Sequence, residues 1–384
     1  MDLRDTPEEA AFRAEVRRWL EANVPSELSG PRSSEEEYER AWHRWSRKLA
    51  EAGYAGLTWP KEYGGRGAPY SHQAIFLEET ARAEAPQHLN VIGLGMAGPT
   101  IIAHGTEGQK SRYLHRILSA DEIWCQGFSE PGAGSDLASA RTSATVEGDH
   151  FVVDGQKVWS SFAHIADWCI LVTRSDPDSE KHAGLTYLLV DMHSPGVEVR
   201  PLRQITGEAE FNEIFFTGVE VPAENVLGEI GQGWGVAMTT LLHERATLGF
   251  ALTAMLEVNV RKLLTLARER ANGDPLLRDR VAREWIEQRA LRLTNYRSLT
   301  QLIKTGMPGP EGSVSKLHWS ESNQRLTKLA LELLGPGSQV GNGDAAGYWQ
   351  YQQLRSRGNT IEAGTSEILR NIIAERVLGL PRSR

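Results

Sequence analysis

The sequence predicts an α+β protein in which a helical N-terminal region, an antiparallel β region and a C-terminal helical bundle follow one another. Three observations carry this prediction. Apolar residues recur at helical spacing behind capping signals in the first third. From about Cys125 to Gly228 the texture changes to short β-branched runs separated by turn residues. After Gly231-Gln232-Gly233-Trp234 long helical periods return. The order α, β, α excludes the alternating βα pattern of a doubly wound sheet. At 384 residues the chain exceeds the size of one growing hydrophobic core, so several domains are expected. Their bounds are read as 1–122, 123–230 and 231–384.

In the first region Thr6, followed by Glu9 three residues on, forms a capping box. Pro7 suits the first helical position, and Phe12, Val16 and Leu20 share one face. Ser33-Ser34-Glu35-Glu36-Glu37 opens a second helix with Trp42, Trp45 and Leu49 in phase, stopped by Gly53. The β region reads Thr145-Val146, a turn at Glu147-Gly148-Asp149, then Phe151-Val152-Val153 and a further turn signal at Asp154-Gly155. Cys169 to Val172 and Tyr187 to Val190 continue it. In the last region Ala282 to Ile303 has helical period, and Gly335-Pro336-Gly337 and Gly341-Asn342-Gly343 break the late helices. There is no internal repeat and no low-complexity tract.

Composition narrows the function classes. With 40% hydrophobic and 24% charged residues, the chain has an ordinary globular balance. No apolar run approaches the roughly 20 residues that span a bilayer. The opening Met1-Asp2-Leu3-Arg4-Asp5-Thr6-Pro7-Glu8-Glu9 has neither the basic-then-apolar order of a secretory signal nor the acid-poor character of a transit peptide, so a cytoplasmic location is expected. The two cysteines, Cys125 and Cys169, are too few for a disulfide framework or a thiolate metal site and are expected as reduced core thiols. A net charge of −8 disfavours nucleic acid as the main partner.

Gly132-Ala133-Gly134-Ser135-Asp136 is by itself a glycine-rich turn. A dinucleotide fingerprint requires a preceding strand, an immediately following helix and a third glycine at fixed spacing, whereas this loop leads into hairpin strands. The wider run Trp124-Cys-Gln-Gly-Phe-Ser129-Glu-Pro-Gly-Ala-Gly-Ser-Asp136 resembles the signature of the acyl-CoA dehydrogenase family. Further blocks of that family follow its order: Gly56-Leu-Thr-Trp-Pro-Lys-Glu-Tyr-Gly-Gly65, Gly155-Gln-Lys-Val-Trp-Ser-Ser161, Val221-Pro-Ala-Glu-Asn-Val-Leu-Gly228, His243-Glu244-Arg245 and Ala363-Gly-Thr-Ser-Glu-Ile368. Any one is compatible with chance, but the ordered set along nearly the whole chain is specific.

The resemblance implies the same α, β, α fold and an FAD cofactor. It places Gln126, Phe128, Ser129, Gly134, Ser135, Trp159, Ser161, Thr365 and Glu367 at the cofactor, with Trp159 packed on the flavin ring and Ser161 near its reactive N5 edge. In the family an arginine before a Phe-Gly pair meets a neighbouring subunit's FAD pyrophosphate. Here the segment reads Arg268-Glu269-Arg270-Ala271-Asn272-Gly273, so the spacing is altered and either Arg268 or Arg270 takes the role.

The implied reaction removes an α proton, acidified by a thioester carbonyl, while the β hydrogen leaves as hydride. It needs one dry, tuned carboxylate. In many members that glutamate precedes the Gly-Thr pair, where this chain has Ala363. Glu362, one residue earlier, points in a different direction on any regular backbone. A second group, including isovaleryl-CoA and long-chain dehydrogenases, carries the base on the first long helix of the C-terminal domain before an arginine, and Glu244 matches that position. Ser135 and Arg245 are expected to face the substrate, and the Ala363 amide to hold the thioester carbonyl. Leu242 stands where an aspartate often meets the pantetheine arm.

The implied partners are an acyl-CoA substrate and an electron-transfer flavoprotein as acceptor, in a homotetramer or a heterotetramer with a related subunit. Two alternatives keep the fold: an oxygen-using flavoenzyme, and a noncatalytic or site-sharing subunit of a heteromeric dehydrogenase.

Overall fold

The computed structural model describes residues 4–28, 34–271, 273–306, 309–340 and 344–382. The side chains of residues 35, 244–248, 344 and 345 also lie outside the described set. The chain forms two compact units, each discontinuous in sequence: residues 24–68 with 86–244, and residues 1–23 with 69–85 and 245–384.

The first unit holds the sheet and helices α2 (Glu35–Glu51), α4 (Gly98–His104) and α5 (Glu107–Ser119). The strands are β1 (Trp124–Gly127), β2 (Ser143–Glu147), β3 (His150–Ser161), β4 (Trp168–Arg174), β5 (Leu185–Asp191), β6 (Val197–Leu202) and β7 (Phe211–Pro222). An antiparallel run β2-β3-β7-β6 joins, at the single parallel register Ser143↔Arg174, the strand β4, which carries β5 antiparallel on it. The expectation of antiparallel pairing holds for most of the sheet, but β1 runs parallel to β4. The chain enters β1 from a helix rather than through a hairpin, so nothing in a local turn sets its direction.

Asp154-Gly155, read as a turn, lies inside β3. Gly155 has φ +150° at a register shift against β7, and a bulge absorbs the kink without ending the strand. Alternation along β3 puts Phe151, Val153 and Lys157 on its buried face.

Asn90 fixes the approach to β1. Its side chain is fully buried, donates to Ile117 O (3.1 Å) and Glu122 O (2.8 Å), and accepts from Trp124 N (2.9 Å) and Gly93 N (3.2 Å). All its polar capacity is used, so its burial carries no unsatisfied cost. In α2 the Ser34 hydroxyl caps Glu37 N as the sequence predicts, and Ser33 lies outside the described residues. Trp45 is buried with its indole N–H on Pro86 O.

The second unit contains α1 (Pro7–Asn23), α3 (Tyr70–Arg82), the remainder of α6 (Gly233–Arg270), α7 (Pro275–Thr305), α8 (Gly312–Leu334), α9 (Asp344–Asn359) and α10 (Ser366–Ile372). Thr6 and Glu9 form the predicted reciprocal cap, and Phe12, Val16 and Leu20 are buried. Gly335-Pro336-Gly337 turns the chain after α8 in a 3₁₀ segment, and Gly341-Asn342-Gly343 lies outside the described residues. A buried ionic cluster ties α1 to α3: Arg13 bonds Asp5, Glu78 and Glu79, and Glu79 also accepts from Arg17 and Arg82.

Candidate active site

The family-like segments at Phe128 and Trp159 meet in the sheet unit. After β1 the chain leaves the sheet at Phe128, which is buried with its ring 6.0 Å from that of Tyr187. Ser129 O accepts from Val158 N at 2.8 Å, which sets the loop beside β3 one residue before Trp159. Gln126 lies in β1 opposite Ile170.

Trp159 stands in the left-handed region at φ +62°, where β3 slips register against β7, and its side chain is turned outward, 57% exposed. Phe162 also has positive φ, so two strained residues flank Ser160 and Ser161. Each costs about 1–2 kcal/mol for an L-residue, and backbone strain concentrates at sites where geometry is used. The Trp159 ring meets Phe211 edge-on at 6.0 Å and leaves a face open. Indole is a large apolar surface, and exposing it on strained backbone fits a planar ligand that covers it.

The Gly132–Asp136 loop folds back on itself through the paired Glu130 and Ala133 backbones and exposes Gly134 and Ser135. Gly132 and Gly134 have no left-handed φ, and a Cβ at either would meet nothing within 4 Å. Neither internal packing nor conformation therefore asks for glycine there, and the bare backbone is left open to close approach by a bound molecule. Asp136 is held by Lys181 (2.6 Å) and Ser139 (2.7 Å), which together keep its carboxyl below the usual range.

In the helical unit the family-like C-terminal block forms a tight turn. Ala363 (φ +49°) and Gly364 (φ +98°) are both left-handed, and Thr365 then caps α10 by accepting from Ile368 N. Lys316, on α8 and 5% exposed, donates to Asn359 O (2.7 Å) and Gly364 O (2.8 Å). Glu362 is fully engaged: Arg355 grips both its oxygens (3.1 and 2.8 Å) and Asn359 donates to one (2.9 Å). These three bonds tie the Glu362 carboxylate to Arg355 and Asn359 beside the turn.

Thr365, Ser366 and Glu367 border a cavity of about 610 Å³ with Arg325, Lys328, Arg357 and Arg370 on its wall. Ser366 Oγ is buried there with no hydrogen-bond partner among the described residues. Glu321 and Glu367 also line the cavity and Arg370 is paired with Glu321, so the four cationic side chains leave a net positive wall, which suits a phosphate-bearing group.

Glu244 and Arg245 lie on helix α6, and their side chains fall outside the described residues. Arg268 and Arg270 are exposed in the last turn of the same helix. Cys125 and Cys169 are opposite one another in the β1–β4 register, buried and unoxidised. Among the described residues no cluster of three or more metal-ligating side chains occurs, and no helix is long and apolar enough to cross a membrane.

Sequence reasoning missed Lys157 and Lys316. Strand alternation from Phe151 and Val153 offered a signal for the first. The second sits in the first turns of α8 among buried Ser313, Ser315 and Ser320, ahead of the apolar stripe of Trp319, Leu326, Ala330 and Leu333, so the inner face is polar where the lysine stands.

Comparison with known proteins agrees with this arrangement. Family models describing the acyl-CoA dehydrogenase N-terminal, middle and C-terminal domains match residues 6–121, 125–219 and 231–378. The chain is 46% identical to a Mycobacterium tuberculosis protein named acyl-CoA dehydrogenase IpdE1, over 97% of each chain. Among solved structures it is similar to the Tcur3481-Tcur3483 steroid ACAD, with 30% identity, TM-score 0.88 and full coverage of both chains. It is likewise similar to the ChsE4-ChsE5 complex from Mycobacterium tuberculosis, with 30% identity, TM-score 0.87 and full coverage of both. The chain belongs to the acyl-CoA dehydrogenase family and is an oxidoreductase of acyl-CoA thioesters.

Proposed function

We propose that the protein catalyses FAD-dependent α,β-dehydrogenation of a bulky, ring-bearing acyl-CoA, with Glu244 as the base. The exposed, strained Trp159 beside the fixed Phe128–Glu130 segment is the observation that carries the cofactor reading. Open glycines at 132 and 134 and the cationic cavity bearing Thr365 and Ser366 support it. Phe128, Ser129, Trp159 and Ser161 would hold the ring, with Gln126, Gly134, Ser135, Thr365 and Glu367 around the remainder and Arg268 or Arg270 at a pyrophosphate. When bound, FAD supplies the two-electron acceptor that takes the β hydrogen as hydride.

The chain's own residues do the rest. The α proton passes to the Glu244 carboxylate, and the developing enolate charge on the thioester oxygen is met by the Ala363 amide. Ser135 and Arg245 orient the substrate. The base assignment is supported by exclusion, since Ala363 has no carboxylate and Glu362 is consumed by Arg355 and Asn359. The similarity to a steroid ACAD supports a ring-bearing acyl group. Its two-component name, and that of the ChsE4-ChsE5 complex, favour assembly with a related subunit. An electron-transfer flavoprotein as electron acceptor and a cytoplasmic location belong to the same reading.

Anaerobic bleaching of the flavin absorbance by short, branched, long and steroid-type acyl-CoAs tests this, with Glu244→Gln beside the wild type. Fast bleaching by the ring-bearing thioester, slowed by a factor of about 10²–10⁴ in Glu244→Gln, is expected. A mutant that bleaches at the wild-type rate rejects Glu244 as base. Preferential bleaching by a short linear substrate rejects the ring-bearing class.

A further inference from the structure

Lysine in the interior of a sheet needs a reason. Lys157 is fully buried on the inward face of β3, and its ammonium donates to Glu130 Oε1 at 2.8 Å and to Phe128 O at 3.1 Å. The carboxylate of Glu130 in turn accepts from Arg141 N and Thr142 N, both at 2.8 Å. The lysine stem runs beneath Gly127, where a Cβ would stand 3.3 Å from Lys157 Cγ. A buried ion pair of this kind contributes little net stability over apolar residues of equal volume, because desolvation offsets the attraction. What the pair does specify is position.

The segment it specifies is the one that the cofactor reading places at the flavin. Phe128 O is fixed by Lys157, Ser129 O by Val158 N, and Glu130 by Lys157 together with the Arg141 and Thr142 amides just before β2. Three consecutive residues are thus tied to two consecutive residues of β3, and the next residue of β3 is Trp159. We propose that Lys157, acting with Glu130, is a positioning residue that holds Ser129 and Trp159 in the spacing the flavin ring requires. This inference rests on the cofactor reading given above.

The test uses the full-length flavin-loaded protein with Lys157→Met, Glu130→Gln and, as a control, Val153→Ala. Val153 is fully buried on the same face of β3 and touches none of these polar groups by hydrogen bond. The readouts are the FAD release rate, followed by the gain in free-flavin fluorescence, and the flavin reduction potential, both well below each variant's Tm. Lys157→Met and Glu130→Gln are expected to release FAD at least tenfold faster and to shift the potential. Val153→Ala, with a comparable fall in Tm, is expected to stay within twofold and unshifted.

Wild-type release and potential in Lys157→Met overturn the positioning role, as does an equal change in Val153→Ala. If Lys157→Met does not fold, Glu130→Gln decides by the same criterion. A wild-type protein that takes up no FAD, alone or assembled with its related subunit, overturns the cofactor reading and this inference with it. A flavin-loaded wild type with an unaltered Lys157→Met overturns this inference alone.

Discussion

Replacing Lys316 by methionine isolates what holds the Asn359–Thr365 turn. The side chain is 5% exposed and its ammonium satisfies Asn359 O and Gly364 O at 2.7 and 2.8 Å. Methionine fills the volume but leaves two acceptors without that donor. An unsatisfied buried polar group costs about 1–3 kcal/mol. Asn359 is 3% exposed and bears the full cost, whereas Gly364 is partly exposed and recovers some from water, so roughly 3 kcal/mol is expected in total. The left-handed strain at Ala363 is common to wild type and variant and leaves this difference unchanged.

The loss falls on local opening rather than on global unfolding, because the core of this unit, around Leu263, Leu291 and Leu326, is untouched. At 1.4 kcal/mol per factor of ten, amide exchange in a peptide covering residues 358–370 should accelerate roughly 150-fold. The Ser366 amide, bonded to Thr360 O, is the sensitive probe. Peptides from α7 should exchange as in the wild type. Acceleration of less than threefold in a folded variant would refute the claim that Lys316 holds the turn.

Two further outcomes follow from the same unit. Ala363→Gly should leave stability unchanged or raise it by up to ~1 kcal/mol, since relief of the left-handed strain exceeds or balances glycine's extra unfolded entropy; a loss beyond 1 kcal/mol by urea unfolding contradicts the assigned strain. The α1–α3 cluster should fail in acid. Asp5 is held low chiefly by its bond to Arg13; for Glu79, and for Glu257 of α6, which accepts from Arg82 at 3.3 Å, burial pushes the carboxyl up, but the arginines, led by Arg17 and Arg82 respectively, outweigh it. Carboxyls depressed in the fold stabilise it above their unfolded values of about 4, and that stability drains as pH falls through the lower folded values. Glu284, raised by burial, opposes this with a single group. Stability of this unit should therefore drop below about pH 4, with a shallower slope in Glu79→Gln; an unchanged slope in that variant removes Glu79 from the cluster's titration.

Much of the candidate site was proposed from the sequence because its residues form contiguous blocks. The segments around Ser129, Trp159 and Thr365 each carry a local pattern. The exclusion of Glu362 followed from backbone direction alone, and the structure adds its engagement by Arg355 and Asn359. The Asp154-Gly155 turn signal misled because glycine with positive φ serves a bulge as readily as a turn, and only the continued pairing with β7 separates the two.

The sequence by itself determined the family, the order of helical and β regions and the capped helix starts, since these rest on spacing within a few residues of one another. The tertiary structure alone decided the parallel pairing of β1 with β4, the outward turn of Trp159, and the burial of Lys157 and Lys316 against backbone carbonyls. Lys157 reaches Glu130 across 27 residues of chain and Lys316 reaches Gly364 across 48. A lysine reads as a surface residue until the acceptors that replace its water are brought to it, and only folding brings them.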